Sequence, residues 1–316
     1  MNDRSEEIRR VAKRLLAEGK ADVVIGFRDS RLPLRATPHF ARTPAEADQL
    51  VWGLGCTSNL AKYLLDREEC VAVVAKGCDV RAIVATVKEN QVNRDRVTII
   101  GVPCAGVVSW QKLEAVLNGR DLTEAIQDGD TLVLRGREFE QRVAISDLLQ
   151  DACRTCTVHE PVVCDVRIAS SAPAGGRTDE FADIREFEAL SPDERWEWFR
   201  REFSRCIRCY ACRNACPACY CEQCFVDSTN PEWIGKGNDL TDTLIFHIVR
   251  AFHSAGRCVD CGACERACPM GIDLRRLTRK VQKDVKELFG ADAGVDPDSP
   301  PALAVFRPDD PEDFTW

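Results

Sequence analysis

The first half of the chain alternates between helical and strand-like periodicities. Residues 5–18 carry Ile8, Val11, Leu15 and Leu16 on one side, with Arg, Lys and Glu opposite. That pattern predicts an amphipathic helix stopped at Gly19. Residues 21–27 are a short apolar run consistent with a strand. Residues 28–43 are basic and broken by Pro33 and Pro38, with Pro44 just beyond, and read as an irregular loop, solvated rather than touching an anionic ligand. Residues 50–56 read as a strand-to-turn passage, with helical register over 58–66. Gly53 and Gly55 look like the start of a dinucleotide fingerprint, but Ser58 stands where the third Gly belongs, so the match is weak. Residues 70–75 are continuously apolar, as in a buried parallel strand. Lys76-Gly77-Cys78-Asp79 follows, with Asp79 placed as an N-cap, and Val80, Ile83, Val84 and Val87 then mark a helix face. Residues 97–102 give the next strand, ending at Pro103-Cys104, and 107–117 another helix that stops near Gly119. Residues 131–135 and 142–145 are strand-like pieces, and Ser146 is placed to cap a helix.

This alternation predicts an α/β N-terminal domain over 1–165 with a parallel, doubly wound sheet. Ligands are expected at the C-terminal ends of its strands, where Lys76, Gly77, Cys78, Asp79, Pro103 and Cys104 fall. Taken singly, a plain helix cap for Asp79 and an exposed lysine for Lys76 are readings at least as good. Residues 166–180 are rich in small residues, Pro and Gly, and read as a linker.

Helical periodicity resumes over 181–203, with Ser191-Pro192-Asp193-Glu194 as an N-terminal signature and Trp196, Phe199 and Phe203 facing a core. Residues 240–252 form a helix with Leu244, Ile245, Ile248, Val249 and Phe252 on its apolar face. His247 and His253 lie off or beside that face and read as surface or satisfied histidines. Residues 274–289 are again helical and rich in Arg and Lys, and 291–316 carry Pro and Asp and read as an extended tail. With cysteine runs at 206–216 and 258–268 set among these helices, residues 181–290 read as an α-helical, ferredoxin-like domain rather than a small β-hairpin one.

Composition narrows the setting. A chain of 316 residues is long enough for two cores, and 45% hydrophobic with 30% charged residues is that of a globular protein. A net charge of −8 disfavours a nucleic-acid surface. Residues 1–10 lack the apolar stretch of a secretory signal, and the longest apolar run, 70–75, is too short to span a membrane. A reducing cytoplasm in an anaerobic or microaerobic setting is the expected location, and any membrane attachment would go through a partner.

The 18 cysteines decide the chemistry. Cys206, Cys209, Cys212 and Cys216, followed by Pro217, repeat the spacing of Cys258, Cys261, Cys264 and Cys268, followed by Pro269. C-x₂-C-x₂-C-x₃-C-P is the ligand pattern of paired [4Fe–4S] clusters, in which the fourth Cys of each run serves the other cluster. The expected sets are crossed: Cys206, Cys209, Cys212 and Cys268 for one, Cys258, Cys261, Cys264 and Cys216 for the other. Zinc also takes thiolates, commonly as two C-x₂₋₄-C pairs or with His, which fits these runs poorly. A third group comprises Cys153, Cys156 and Cys164, with Cys104 as fourth ligand and Cys56 and Cys78 as competitors. It predicts a further metal site, either a third [4Fe–4S] cluster or zinc, the latter suited by His159. Cys219, Cys221 and Cys224 follow no recognised spacing and are left unassigned.

Lys76-Gly77-Cys78-Asp79-Val80-Arg81 and Gly101-Val102-Pro103-Cys104, followed by the Cys153-x₂-Cys156 segment, resemble the beta subunits of deazaflavin-coenzyme-reducing hydrogenases and formate dehydrogenases over about residues 50–165. The C-terminal part looks like the dicluster segments of heterodisulfide-reductase-type and formate-dehydrogenase-type electron-transfer subunits. The resemblance implies iron–sulfur clusters, a flavin (FAD) near Lys76, Gly77, Asp79 and Arg81, and other subunits of a redox complex as partners.

Two readings of function stay open, with a third beside them. In the first, the chain is an iron–sulfur electron-transfer subunit of an anaerobic oxidoreductase complex and relays single electrons. In the second, a flavin in the α/β domain turns those electrons into hydride transfer to a soluble deazaflavin-like coenzyme. The third is a zinc-stabilised structural subunit.

Overall fold

The computed structural model describes residues 3–169 and 179–304. Most of the predicted linker (170–178) and the end of the predicted tail (305–316) lie outside the described residues. Two compact units emerge, one from residues 1–80 and 92–177, the other from 81–91 and 178–316.

The first unit opens with α1 (Asp3–Ala17), which buries Ile8, Val11 and Leu15, and Gly19 at φ 66° follows it. Strand β1 (Val23–Asp29) runs on past the apolar stretch and pairs antiparallel with β2 (Ala36–Ala41), Val24 opposite Ala41. The predicted loop over 28–43 is thus a hairpin. Pro38 is tolerated because β2 is an edge strand, where a missing N–H costs no ladder bond. Helix α2 (Pro44–Ala47) carries a capping box between Thr43 and Glu46.

Residues 50–56 form no strand beyond a single bridge from Leu50 to Arg28. Strand β3 (Val71–Ala75) pairs with β1 only at Val23, Val24 and Ile25, and beyond it this segment meets β1 through Val51 N–H to Phe27 O, while Trp52 N–H donates to Ser5 Oγ. The helix expected over 58–66 is a 3₁₀ turn, Leu60–Leu64.

Strand β3 (Val71–Ala75) is wholly buried and leads into α3 (Gly77–Lys88), and β4 (Val97–Gly101) lies parallel to β3. Ser109 caps α4 (Trp110–Leu117), which ends on Asn118 in the left-handed region. An antiparallel sheet of β5 (Leu122–Asp128), β6 (Thr131–Gly136) and β7 (Glu140–Ala144) follows, and β5 escapes the sequence pattern because nearly all of it is exposed. Leu132 and Leu134 of β6 share a core with Leu113, Leu117 and Leu148. Helix α5 (Ile145–Leu148) starts from Ala144, so Ser146 lies within it rather than at its cap; α6 (Asp151–Arg154) holds Cys153.

Strand β8 (Val166–Arg167) pairs parallel with β4, Val166 opposite Ile100, so the sheet continues into the segment read as linker. The order β2-β1-β3-β4-β8 has four parallel strands and one antiparallel edge, a mixed sheet rather than a purely parallel one.

In the second unit, α7 (Ala182–Glu188) and α8 (Pro192–Phe203) replace the single helical stretch expected over 181–203. The Ser191–Glu194 capping box starts α8. Phe199 and Phe203 are buried, but Trp196 is 52% exposed, against expectation. After the short α9 (Ala211–Asn214) comes α10 (Leu240–His253), then α11 (Ala263–Arg266) and α12 (Leu274–Phe289). Phe203, Phe246, Ile272 and Leu274 build a core that includes Cys212 and Cys268. The described tail residues pack within this unit, Asp292 pairing with Arg81 and Lys286.

Candidate iron-sulfur centres

The two cysteine runs fold alike. In each, the residue before the second Cys has positive φ, Arg208 at 51° and Asp260 at 52°. In each, the residue after it does too, Tyr210 at 58° and Gly262 at 67°, and that residue is the N-cap of α9 or α11. Three non-glycine residues in this region are a local cost sustained only where surroundings enforce it. The turn aims backbone N–H groups at sulfur: Arg208 N–H donates to Cys206 Sγ at 3.3 Å, and the Asp260 N–H favours the thiolate of Cys258 in the same way.

The thiols fall into two neighbourhoods. Burial, together with the neighbouring Cys264, Cys206 and Cys268, pushes the Cys212 thiol up to about 12. Burial, and then Cys268 and Cys209, likewise raise Cys206. In the other neighbourhood, burial and then Cys216 and Cys264 push Cys261 up to about 11, and Cys216 also bears on Cys258 and on Cys264. The last cysteine of each run therefore bears on thiols of the other, Cys268 on Cys206 and Cys212, and Cys216 on Cys258, Cys261 and Cys264. Cys219 hydrogen-bonds Cys216 and, with burial, holds it well above the usual thiol range. Cys224 lies against Arg213, and Cys221 is exposed.

Helix α10 faces these thiols with an unexpected side. Thr243, His247 and Arg250, at i, i+4 and i+7, are buried, while Ile245 and Phe252 are exposed, so the helix is rotated from the predicted face. His247 lies 4.4 Å ring to ring from Phe203, and its Nε2 is 3.3 Å from Cys206 Sγ. Burial, then the charges of Arg250 and Arg208, push its imidazole down to about 3. His253, by contrast, is exposed, as read.

Arg250 donates to Cys212 O at 3.1 Å. Burial opposes its charge, but Cys264, Cys216, Cys212 and Cys219 together raise its pKa above the ordinary arginine value. Among the described residues, four buried side-chain atoms lack a hydrogen-bond partner: Nε of Arg195, Arg208 and Arg250, and Oγ1 of Thr243. Orphaned cationic donors among clustered thiols suit an anionic group with sulfur acceptors, which is what a thiolate-bound cubane is. On the far side of the second run, Asp260 accepts from Arg275 at 2.7 and 2.6 Å and also pairs with Arg279.

The neighbourhoods differ in access. Of these eight cysteines Cys209 is the exposed one, and its neighbour Ile207 is 53% exposed, whereas the equivalent Val259 is 5% exposed.

In the first unit, Lys76 is 3% exposed, not a surface lysine. Its Nζ reaches Ser58 O and Asp79 Oδ2, each at 2.9 Å, and lies over the Phe27 ring. Asp79 is not the cap: it sits in the first turn of α3 and reaches back to the Lys76 N–H. Gly77 packs under the Val158 carbonyl, and Arg81 donates to Ala293 O and pairs with Asp292. The four residues expected around a flavin are thus engaged with other parts of the protein.

Of the third cysteine group, Cys104 and Cys153 are neighbours. Cys104 Sγ accepts from Gly106 N–H and Cys153 Sγ from Val107 N–H, each at 3.4 Å. Burial pushes Cys104 up to about 12 despite the Lys76 charge. Cys156 Sγ meets Val158 O, Cys164 Cβ packs on Gly101, and His159 Nδ1 bonds Cys104 O. Cys56 is buried against Val51 O, and Cys78 lies in the field of Lys76. Among the described residues no three His, Cys, Asp or Glu side chains are drawn around a single point as for one metal ion. A cubane asks for wider spacing, since each thiolate has its own iron. No helix among them is long and apolar enough to cross a membrane.

Two segments of the chain match known protein families. Residues 202–272 match the 4Fe-4S dicluster domain, and 68–181 match the C terminus of the coenzyme F420 hydrogenase/dehydrogenase beta subunit. Among curated relatives, the F420-dependent formate dehydrogenase subunit beta of Methanocaldococcus jannaschii is 25% identical, over 93% of either chain. The F420-dependent formate dehydrogenase 1 subunit beta of Methanococcus maripaludis is 27% identical over 94% of this chain and 92% of its own. A chain of the F420-reducing [NiFe] hydrogenase complex from Methanosarcina barkeri aligns with a TM-score of 0.38 and 15% identity, covering 49% of this chain and 58% of that one. The chain thus carries a segment similar to the C terminus of the coenzyme F420 hydrogenase/dehydrogenase beta subunit, followed by a segment similar to the 4Fe-4S dicluster domain.

Proposed function

We propose that this chain is an iron–sulfur electron-transfer subunit of a multi-subunit oxidoreductase complex of the formate dehydrogenase or hydrogenase kind. Cys206, Cys209, Cys212 and Cys268 would hold one [4Fe–4S] cluster, and Cys258, Cys261, Cys264 and Cys216 a second. What supports this reading is the proximity of the two runs' thiols, Cys216 bearing on Cys258, Cys261 and Cys264, and Cys268 on Cys206 and Cys212. Bound clusters supply one-electron chemistry. The chain's own part is to keep the thiols apart from water, aim N–H donors at sulfur and set each centre's access to the surface.

Exposure at Ile207 and Cys209 makes the first centre the point of exchange with a partner subunit. A flavin on Lys76, Gly77, Asp79 and Arg81 is less well supported, because Lys76 and Asp79 satisfy each other and Arg81 is paired with Asp292. Cys104 with Cys153, and Cys156 and Cys164 nearby in sequence, are the candidates for a further metal site.

Anaerobic counting of iron, acid-labile sulfide, zinc and flavin on one purified sample tests the proposal. About eight irons with matching sulfide are expected from the two dicluster sets, and about twelve if the third group also holds a cubane. Zinc in place of iron and sulfide would overturn it. Stoichiometric FAD would move the assignment to the hydride-transferring reading.

A further inference from the structure

We propose that Arg250 and His247 of α10 set the potentials of the two clusters, Arg250 raising both together and His247 raising that of the Cys206 cluster alone. The inference rests on the cluster sets proposed above. It starts from two groups that binding the metal does not itself require.

Arg250 is buried and charged, and it lies in the field of thiols from both sets: Cys212 on one side, Cys264 and Cys216 on the other. One of its nitrogens holds the Cys212 carbonyl, while Nε has no hydrogen-bond partner among the described residues. A cation fixed between two centres that each gain negative charge on reduction stabilises both reduced forms. His247, one turn earlier on the same buried face, is a different kind of donor. Its Nε2 is 3.3 Å from Cys206 Sγ, and a thiolate only accepts, so the ring nitrogen opposite it carries the proton. A hydrogen bond to a ligand sulfur draws electron density from that centre alone and raises its potential. Phe203 and Phe246 flank the ring and hold it in this orientation.

The test is a redox titration followed by electron paramagnetic resonance on the intact, anaerobically purified chain. Cys209→Ser and Cys261→Ser first assign each signal to its cluster. Arg250→Met is expected to lower both midpoint potentials, a tenfold fall in each reduced-to-oxidised ratio corresponding to about 59 mV for one electron. Arg250→Lys, which keeps the charge, is expected to hold both near wild type. His247→Leu is expected to lower the Cys206 cluster only, and His247→Gln, which keeps an N–H donor, to restore it. Unmoved potentials in Arg250→Met, a shift of one cluster only, or equal shifts of both in His247→Leu would overturn the inference. Should Arg250→Met lose iron, Arg250→Lys decides: a fall confined to one cluster overturns it. Iron and sulfide counts separate the two levels, since a wild-type chain without them overturns the cluster reading itself, whereas intact clusters at unchanged potentials overturn this inference alone.

Discussion

At Gly77 a side chain has no room. A Cβ there would stand 2.3 Å from the Val158 carbonyl, so the 156–160 segment passes directly over the first turn of α3. Gly77→Ala must push that segment away, together with Cys156 and His159. We expect a loss of about 1–3 kcal/mol, as for other overpacked positions. Denaturant unfolding against wild type measures it, and an unchanged midpoint would refute the close packing. Sequence periodicity located this residue at a strand end and the head of a helix. It did not reveal that Lys76 and Asp79 neutralise each other there, because that pairing depends on the burial of Lys76 beneath Phe27 and Trp52.

At the scale of elements, hydrophobic patterning succeeds where water and core are the only alternatives. It read α1 and β3 well and gave the full span of α12. It failed on α10, where polar residues turn inward toward thiols and apolar Phe252 is 64% exposed, because the nearby sulfurs favour a buried cation. The hairpin of β1 and β2 was hidden by Pro38, which an edge position permits.

The junction of the second cysteine run with α12 follows the logic of buried charge. Asp260 pairs with both Arg275 and Arg279, each almost fully buried, and their charges keep its carboxyl below the usual range although burial alone would raise it. Asp260→Asn takes one counterion from two buried cations that keep Asp183 and Glu265, and is expected to cost about 1–3 kcal/mol. Anaerobic thermal unfolding, with iron content followed separately, measures it; a variant as stable as wild type would show the pairing to be dispensable.

For the molecule as a whole, the repeated cysteine spacing was the most legible feature, since ligand geometry constrains residue identity directly. The conformational repeat is deeper than the spacing, extending to paired left-handed residues at Arg208 and Asp260 and at Tyr210 and Gly262. The difference in access between the two runs was not legible, because Ile207 and Val259 are both apolar and occupy the same motif position. That difference bears on how the protein fails as well as how it works. Oxidants reach an exposed sulfur before a sheltered one. With clusters held as proposed, the one on Cys206 with its exposed Cys209 should bleach first in air while the one on Cys258 keeps its signal for longer, a sequence that resonance spectra taken during timed aeration would record. Oxygen damage would then begin by cutting the chain off from its redox partner, leaving a reducible but isolated centre inside.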